Sequence, residues 1–211
     1  MQIKIPESPV FILLDKQDKP SKGQNQQYRP VHLQAEHYTI RTLTPADVNQ
    51  PFVEWFNTVE MLAGLNIATP NLTIEKLQKL IQRFNNSDNY FLGIFDGETL
   101  LGFYTIDVVK KHKVASITVG IGHKNYLGKN ALKATIGPIL DHFYQYRDID
   151  KFIARILARN FAMVFNFKNS KRFSLEAELK KECLSPTGER VDILVFTSFK
   201  PEKDSTSKAI Q

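Results

Sequence analysis

Residues 114–146, VASITVGIGHKNYLGKNALKATIGPILDHFYQY, decide how this chain folds. The stretch opens as an apolar, β-branched run carrying Gly120 and Gly122, then breaks into a short polar turn with Gly128 and Lys129. After the turn Leu132, Ile136, Ile139, Leu140 and Phe143 recur at helical spacing. Strand, tight turn and helix are the natural reading. A turn of this kind gathers unpaired backbone N–H groups at a helix start, where the helix dipole also favours negative charge. It is either a plain connector or a seat for a phosphate, and Lys129 would add a mobile positive charge to the second.

The glycine spacing excludes two familiar phosphate motifs. No Gly-Lys-Ser/Thr follows four spacers, and Gly120, Gly122 and Gly128 do not fall as Gly-x-Gly-x-x-Gly. In a strand, Gly120 and Gly122 suit a bulge or the close approach of another extended chain, or they are simply tolerated at some cost.

The stretch resembles the acyl-CoA-binding core of the GNAT acetyltransferases, in the branch of the Rim ribosomal-protein N-acetyltransferases. There a bulged strand precedes a turn of the type Tyr-Trp/Arg-Gly-Lys-Gly-x-Gly/Ala and a long helix. Here the turn reads Tyr126-Leu127-Gly128-Lys129-Asn130-Ala131-Leu132. Gly128 and Lys129 match, while Asn130 and Leu132 stand where the family keeps small residues. The resemblance implies acetyl-CoA as cosubstrate. Gly120, Ile121, Gly122, Leu127, Gly128, Lys129, Asn130, Ala131, Leu132 and Asn160 are its expected contacts.

Outward from this core the order of elements continues the likeness. Upstream, YTIRTLTPADV alternates and then offers Thr44-Pro45-Ala46-Asp47 as a helix start, with Trp55, Phe56, Val59 and Leu62 at helical spacing. Asn71 or Thr73 caps a second helix bearing Ile74, Leu77, Leu80 or Ile81, and Phe84. The resemblance places the acceptor beside residues 61–72. YFLGIFD, the hairpin signal Asp96-Gly97, LLGFYTIDVV, a Lys-rich turn and VASITVGIG make a three-stranded meander.

Downstream, KFIARILARN reads as a strand that the resemblance makes parallel to the one before the central turn. FAMVFNFKNSKRF resembles the second family signature through Asn160 and Phe173, with Phe167 near the position where many relatives have an acidic Tyr. SLEAELKKECLSPTGERVDILVFTSF is similar to the Rim-type ending. No single motif is intact; the order of elements carries the likeness. The expected fold is α+β in three layers: a mixed, mostly antiparallel sheet with a splayed parallel pair, and helices on both faces. Residues 38–199 form the expected domain, 1–37 an N-terminal extension with one strand in VFILLDK, and 200–211 a disordered tail.

Composition narrows the function. At 211 residues and 42% hydrophobic the chain can bury one sizeable core. No apolar run reaches the ~20 residues of a membrane span, and the N-terminus lacks a secretory pattern. A lone cysteine, Cys183, forms no internal disulfide and points to a reducing compartment, the cytoplasm. Lys and Arg outnumber Asp and Glu 28 to 22, a surplus that steers anions. The charges are spread, so a nucleic-acid partner is not expected, nor is a membrane. A homodimer is left open.

Direct acetyl transfer needs a neutral amine, a polarised carbonyl and a protonated leaving thiolate. The backbone around Ile121 and Gly122 is the candidate N–H donor. Asp107 and Tyr104 are the candidate acid–base residues, on opposite faces of their strand if it is regular. The histidines show no metal-ligand spacing, so no metal is expected. The expected activity is an acetyl-CoA-dependent N-acetyltransferase acting on a small amine or a protein N-terminus. The alternative is a degenerate, non-catalytic CoA-binding or interaction module.

Overall fold

A computed structural model describes residues 29–68, 71–128 and 130–202. The strand expected in VFILLDK, the end of the tail from residue 203 and Lys129 lie outside these described residues. Eight strands form one sheet, in the order β1-β2-β3-β4-β5-β6-β8-β7. They are β1 His32–Ala35, β2 Tyr38–Thr42, β3 Asn89–Asp96, β4 Thr99–Val109, β5 Val114–Ile121, β6 Lys151–Leu157, β7 Ser174–Leu184 and β8 Arg190–Phe199. Every neighbouring pair is antiparallel except β5 and β6. Residues 32–35, assigned to the extension by sequence, are the edge strand, turned onto β2 through Glu36 at positive φ.

Helices cover the two faces unequally. α1 Gln50–Trp55, α2 Val59–Leu65 and α3 Ile74–Ile81 lie on one side of β2–β5. α4 Ala131–Tyr146 and α5 Phe161–Lys168 lie on the other. Alternation along β4 sorts the two cores: Phe103 packs with Phe52, Phe56 and Phe91 under α1–α3, while Tyr104 and Ile106 pack with Ile139, Leu140 and Phe143 of α4. Burying these aromatic side chains contributes ~2–3 kcal/mol apiece.

The first helix differs from its expectation. Thr44 opens only a single 3-10 turn, Pro45–Asp47, with Asp47 held by Thr44 and by Arg41; Pro51, which has no N–H, does not continue that helix. α1 then starts afresh at Asn49, whose side chain accepts from the Phe52 amide, and stops after Trp55. Thr58 caps a separate α2, so Val59 faces solvent instead of continuing the apolar stripe of Trp55 and Phe56. Of the two expected caps for α3, Thr73 is the one used.

Candidate active site

The two parallel strands fork. β5 and β6 pair only at Val114–Lys151, Ala115–Phe152 and Ser116–Ile153, and then run on without each other to Ile121 and Leu157. The register shifts between Ile94 and Phe95, leaving Leu101 as the extra residue, and its carbonyl accepts from both Gly122 and His123 amides. That bond makes Ile121–Gly102 a pair without mutual hydrogen bonds. The N–H and C=O groups of Ile121 and Val119, and the C=O of Ile117, therefore point away from β4, into the fork. Gly122, expected as a donor, is already engaged by Leu101.

At the fork's mouth stands the start of α4. Its first internal bond runs from Ala134 N–H to Asn130 O at 2.9 Å, so the amides of Ala131, Leu132 and Lys133 have no acceptor within the helix. α1, α2, α3 and α5 each carry a side-chain cap, from Asn49, Thr58, Thr73 and Asn160; α4 has none, and no acidic residue in its first turn. Asn130 sits in the left-handed region, φ +59°, where Asn is tolerated nearly as Gly is, and its side chain is exposed. Leu132 packs against the α4 core and Ala131 is buried, so neither closes the corner. Gly128, φ +76°, has nothing within 4 Å of an added Cβ, and Leu127 beside it is exposed.

α1 and α2 roof the other side. A Cβ on Gly122 would stand 1.9 Å from the Trp55 ring, and one on Gly120 would stand 3.0 Å from Met61 Sδ. Gly64 of α2 lies against the Asn160 amide, with Nδ2 3.1 Å from where its Cβ would be. Asn160 itself caps α5 through the Met163 N–H. α2 thus reaches from the end of β5 to the start of α5 and ends on Asn66. The Asn66 amide donates to Leu184 O at 2.8 Å and accepts from Arg159 at 3.0 Å.

The two acid–base candidates part company. Tyr104 is fully buried beneath α4, its hydroxyl 2.8 Å from Thr135 Oγ1, and burial drives its pKa far upward. Sealed between strand and helix, it does not reach an acceptor; that expectation is corrected. Asp107 lies on the α1–α3 face, opposite Ser116, the residue at which the fork opens. Desolvation pushes its carboxyl up to about 7, and Oδ2 is buried with no hydrogen-bond partner. Thr105, fully buried, and Thr118 pair two residues further toward the mouth. Phe167 is buried against Phe173 and Phe196 and offers no proton. Among the described residues no group of three His, Cys, Asp or Glu is placed to hold a metal, and no helix is long and apolar enough to cross a membrane.

Sequence reasoning missed the parts contributed by distant elements. Trp55 over Gly122, Gly64 against Asn160 and Asn66 on β7 carry no local signal, since each depends on where α2 lands.

A mixed sheet with a forked parallel pair ahead of an uncapped helix start is the fold of the GNAT N-acetyltransferases. No protein-family model matches the chain, and no characterised protein matches its sequence. Solved structures do. The apo RimL ribosomal L7/L12 alpha-N-protein acetyltransferase matches with TM-score 0.70 and 15% identity over 81% of this chain and 95% of that one. The spermidine N-acetyltransferase of Vibrio cholerae, in complex with CoA and spermine, gives 0.68 and 17% over 77% and 95%. The microcin C7 self-immunity acetyltransferase MccE, with acetyl-CoA and AMP, gives 0.68 and 16% over 78% and 93%. At these identities the likeness is one of fold.

Proposed function

We propose that the protein is an acetyl-CoA-dependent N-acetyltransferase that moves an acetyl group directly to a primary amine of a small molecule or a protein N-terminus. The observation that carries this reading is the fork: β5 turns unpaired backbone groups into a gap whose mouth is the uncapped start of α4. An amide-bearing pantetheine arm satisfies such an edge as a strand would, and a diphosphate suits the free amides of Ala131, Leu132 and Lys133. Exposed Asn130 and inward-packed Leu132 leave room for it.

Acetyl-CoA supplies the activated acyl carbon and departs as the thiol. The chain's own work is positional and protonic. The Ile121 amide is the donor aimed at the carbonyl oxygen. Asp107, with a pKa near neutrality, stands opposite Ser116, ~16 Å along the strand from Ile121, and so takes the proton that the amine loses, as the N–C bond forms and the C–S bond breaks, only by relay through intervening water. With Tyr104 and Phe167 both buried, solvent returns a proton to the sulfur.

One observation favours a second reading, a non-catalytic CoA-binding module: neither aromatic residue offers an acid. Calorimetry with acetyl-CoA and a CoA-release assay over an amine panel separate the two. Binding with turnover supports the enzyme, binding without turnover the module, and no heat at millimolar acetyl-CoA removes both.

A further inference from the structure

Between α2 and the far end of β7 the charges are one-sided. Arg155 on β6 lies two residues beyond Ile153, the last residue paired with β5, and so ~7 Å past the point where the fork opens. It pairs with Glu182 at 2.8 Å. Arg159 and Arg190 stand nearby, and among the described residues neither makes an ion pair with a carboxylate. Arg159 donates to Asn66 Oδ1 at 3.0 Å, Arg190 to Lys181 O, and both are exposed. Cys183 marks the centre of the group: the Asn66 amide stands 3.8 Å from its sulfur, and its thiol feels Arg155, Arg159, Arg190 and the single carboxylate of Glu182. Among the described residues, three guanidiniums face one carboxylate on the β6–β8–β7 side of the fork, at the same end of the sheet as the start of α4.

We infer that the acceptor is an amine carrying an anionic group, a carboxylate or a phosphate, which Arg159 and Arg190 receive while the amine reaches the fork. The inference rests on the acetyltransferase reading and adds the acceptor's class. Guanidiniums take such anions through paired N–H bonds. Here both hold only neutral oxygens, which an anion displaces at little cost. The same field disfavours a protonated amine and so keeps the nucleophile in its reactive neutral form. A polycation finds no carboxylate surplus there.

The test uses the full chain, acetyl-CoA and four acceptors: a peptide beginning Ser-Glu-Glu, one beginning Ser-Lys-Lys, free aspartate and spermidine. The acidic acceptors are expected to give kcat/KM at least ~10-fold above the cationic ones. R159Q and R190Q each raise KM for the better acidic acceptor about five-fold at low salt, with acetyl-CoA affinity unchanged. Peptide against aspartate distinguishes a protein terminus from a small molecule. Preference for spermidine or the lysine peptide, or arginine variants equal to wild type, overturns the acceptor class and leaves the enzyme standing. Turnover of none of the four, with acetyl-CoA binding intact, removes the activity reading and this inference together.

Discussion

The hydroxyl of Tyr104 on β4 lies 2.8 Å from Thr135 Oγ1 on α4, and Thr135 in turn donates to the Ala131 carbonyl at 2.7 Å. This buried relay ties the strand beneath the fork to the helix turn at its mouth. Removing the hydroxyl leaves Thr135 still bonded to Ala131. Tyr104→Phe should therefore cost about 1 kcal/mol and lower Tm by about 2–4 °C, with kcat unchanged. A fall of ~10²-fold or more in kcat, the scale of a lost acid–base group, would place Tyr104 in the chemistry after all.

Asp107 makes an opposite prediction, in which stability and activity separate. Its folded pKa, about 7, lies above the ~3.9 of an unfolded carboxyl. Below about pH 4 both states hold the proton. As pH rises from there through 7 the unfolded chain releases it first, so folding loses stability, by at most ~1.4 kcal/mol per pH unit. Asp107→Asn keeps the shape and removes the ionisation. The variant should show a flatter stability profile from pH 4 to 8 and a higher Tm than wild type at pH 8. Its kcat should fall by ~10²-fold, and the rise of wild-type activity through an apparent pKa near 7 should vanish. A variant with wild-type kcat would remove Asp107 as the base.

How much of this was legible in the sequence follows from what each residue type forces locally. The hairpin at Asp96-Gly97, the strand before the central turn and the stripe Ile136, Ile139, Leu140 and Phe143 are periodic or turn-bound, and the structure has them all. The brevity of the 3-10 turn at Pro45 does not follow from its helix-start pattern, since Asp47 completes a capping box with Thr44; Pro51 and the fresh cap at Asn49 end it. The burial of Tyr104 was not legible either. Alternation says that it and Asp107 face opposite sides, but only the position of α4 says which side is sealed. The site's roof depends on α2, whose placement no local pattern encodes.

Gly122 offers a test of that roof. An alanine Cβ there would meet three atoms of the Trp55 ring at 1.9–2.3 Å, and Trp55 is buried. The ring has to move, taking α1 and the entry to α2 with it. Gly122→Ala should cost about 1–3 kcal/mol or more in urea unfolding and should weaken acetyl-CoA binding with it. Gly128→Ala meets no neighbour and is strained only through its φ of +76°, for about 1–2 kcal/mol. If Gly122→Ala unfolds at the wild-type urea midpoint, Trp55 does not hold the end of β5.

The sharpest separation of fold from ligand lies at Asn130. Its left-handed backbone suits Asp as well as Asn, and its exposed side chain makes no capping bond at present. A carboxylate there complements the positive end of α4, contributing ~0.3–1 kcal/mol, so Asn130→Asp should be as stable as wild type or more so. The same charge repels a diphosphate on the free amides of Ala131, Leu132 and Lys133, and KM for acetyl-CoA should rise about ten-fold at low salt. The increase should shrink in high salt, as exposed charges are screened, while kcat at saturating acetyl-CoA holds. Asn130→Gly keeps the backbone and adds no charge, so its KM should match wild type. Lower stability together with a raised KM would mean that the backbone had moved. Unchanged KM with intact stability would place the diphosphate elsewhere than on the free amides of Ala131, Leu132 and Lys133.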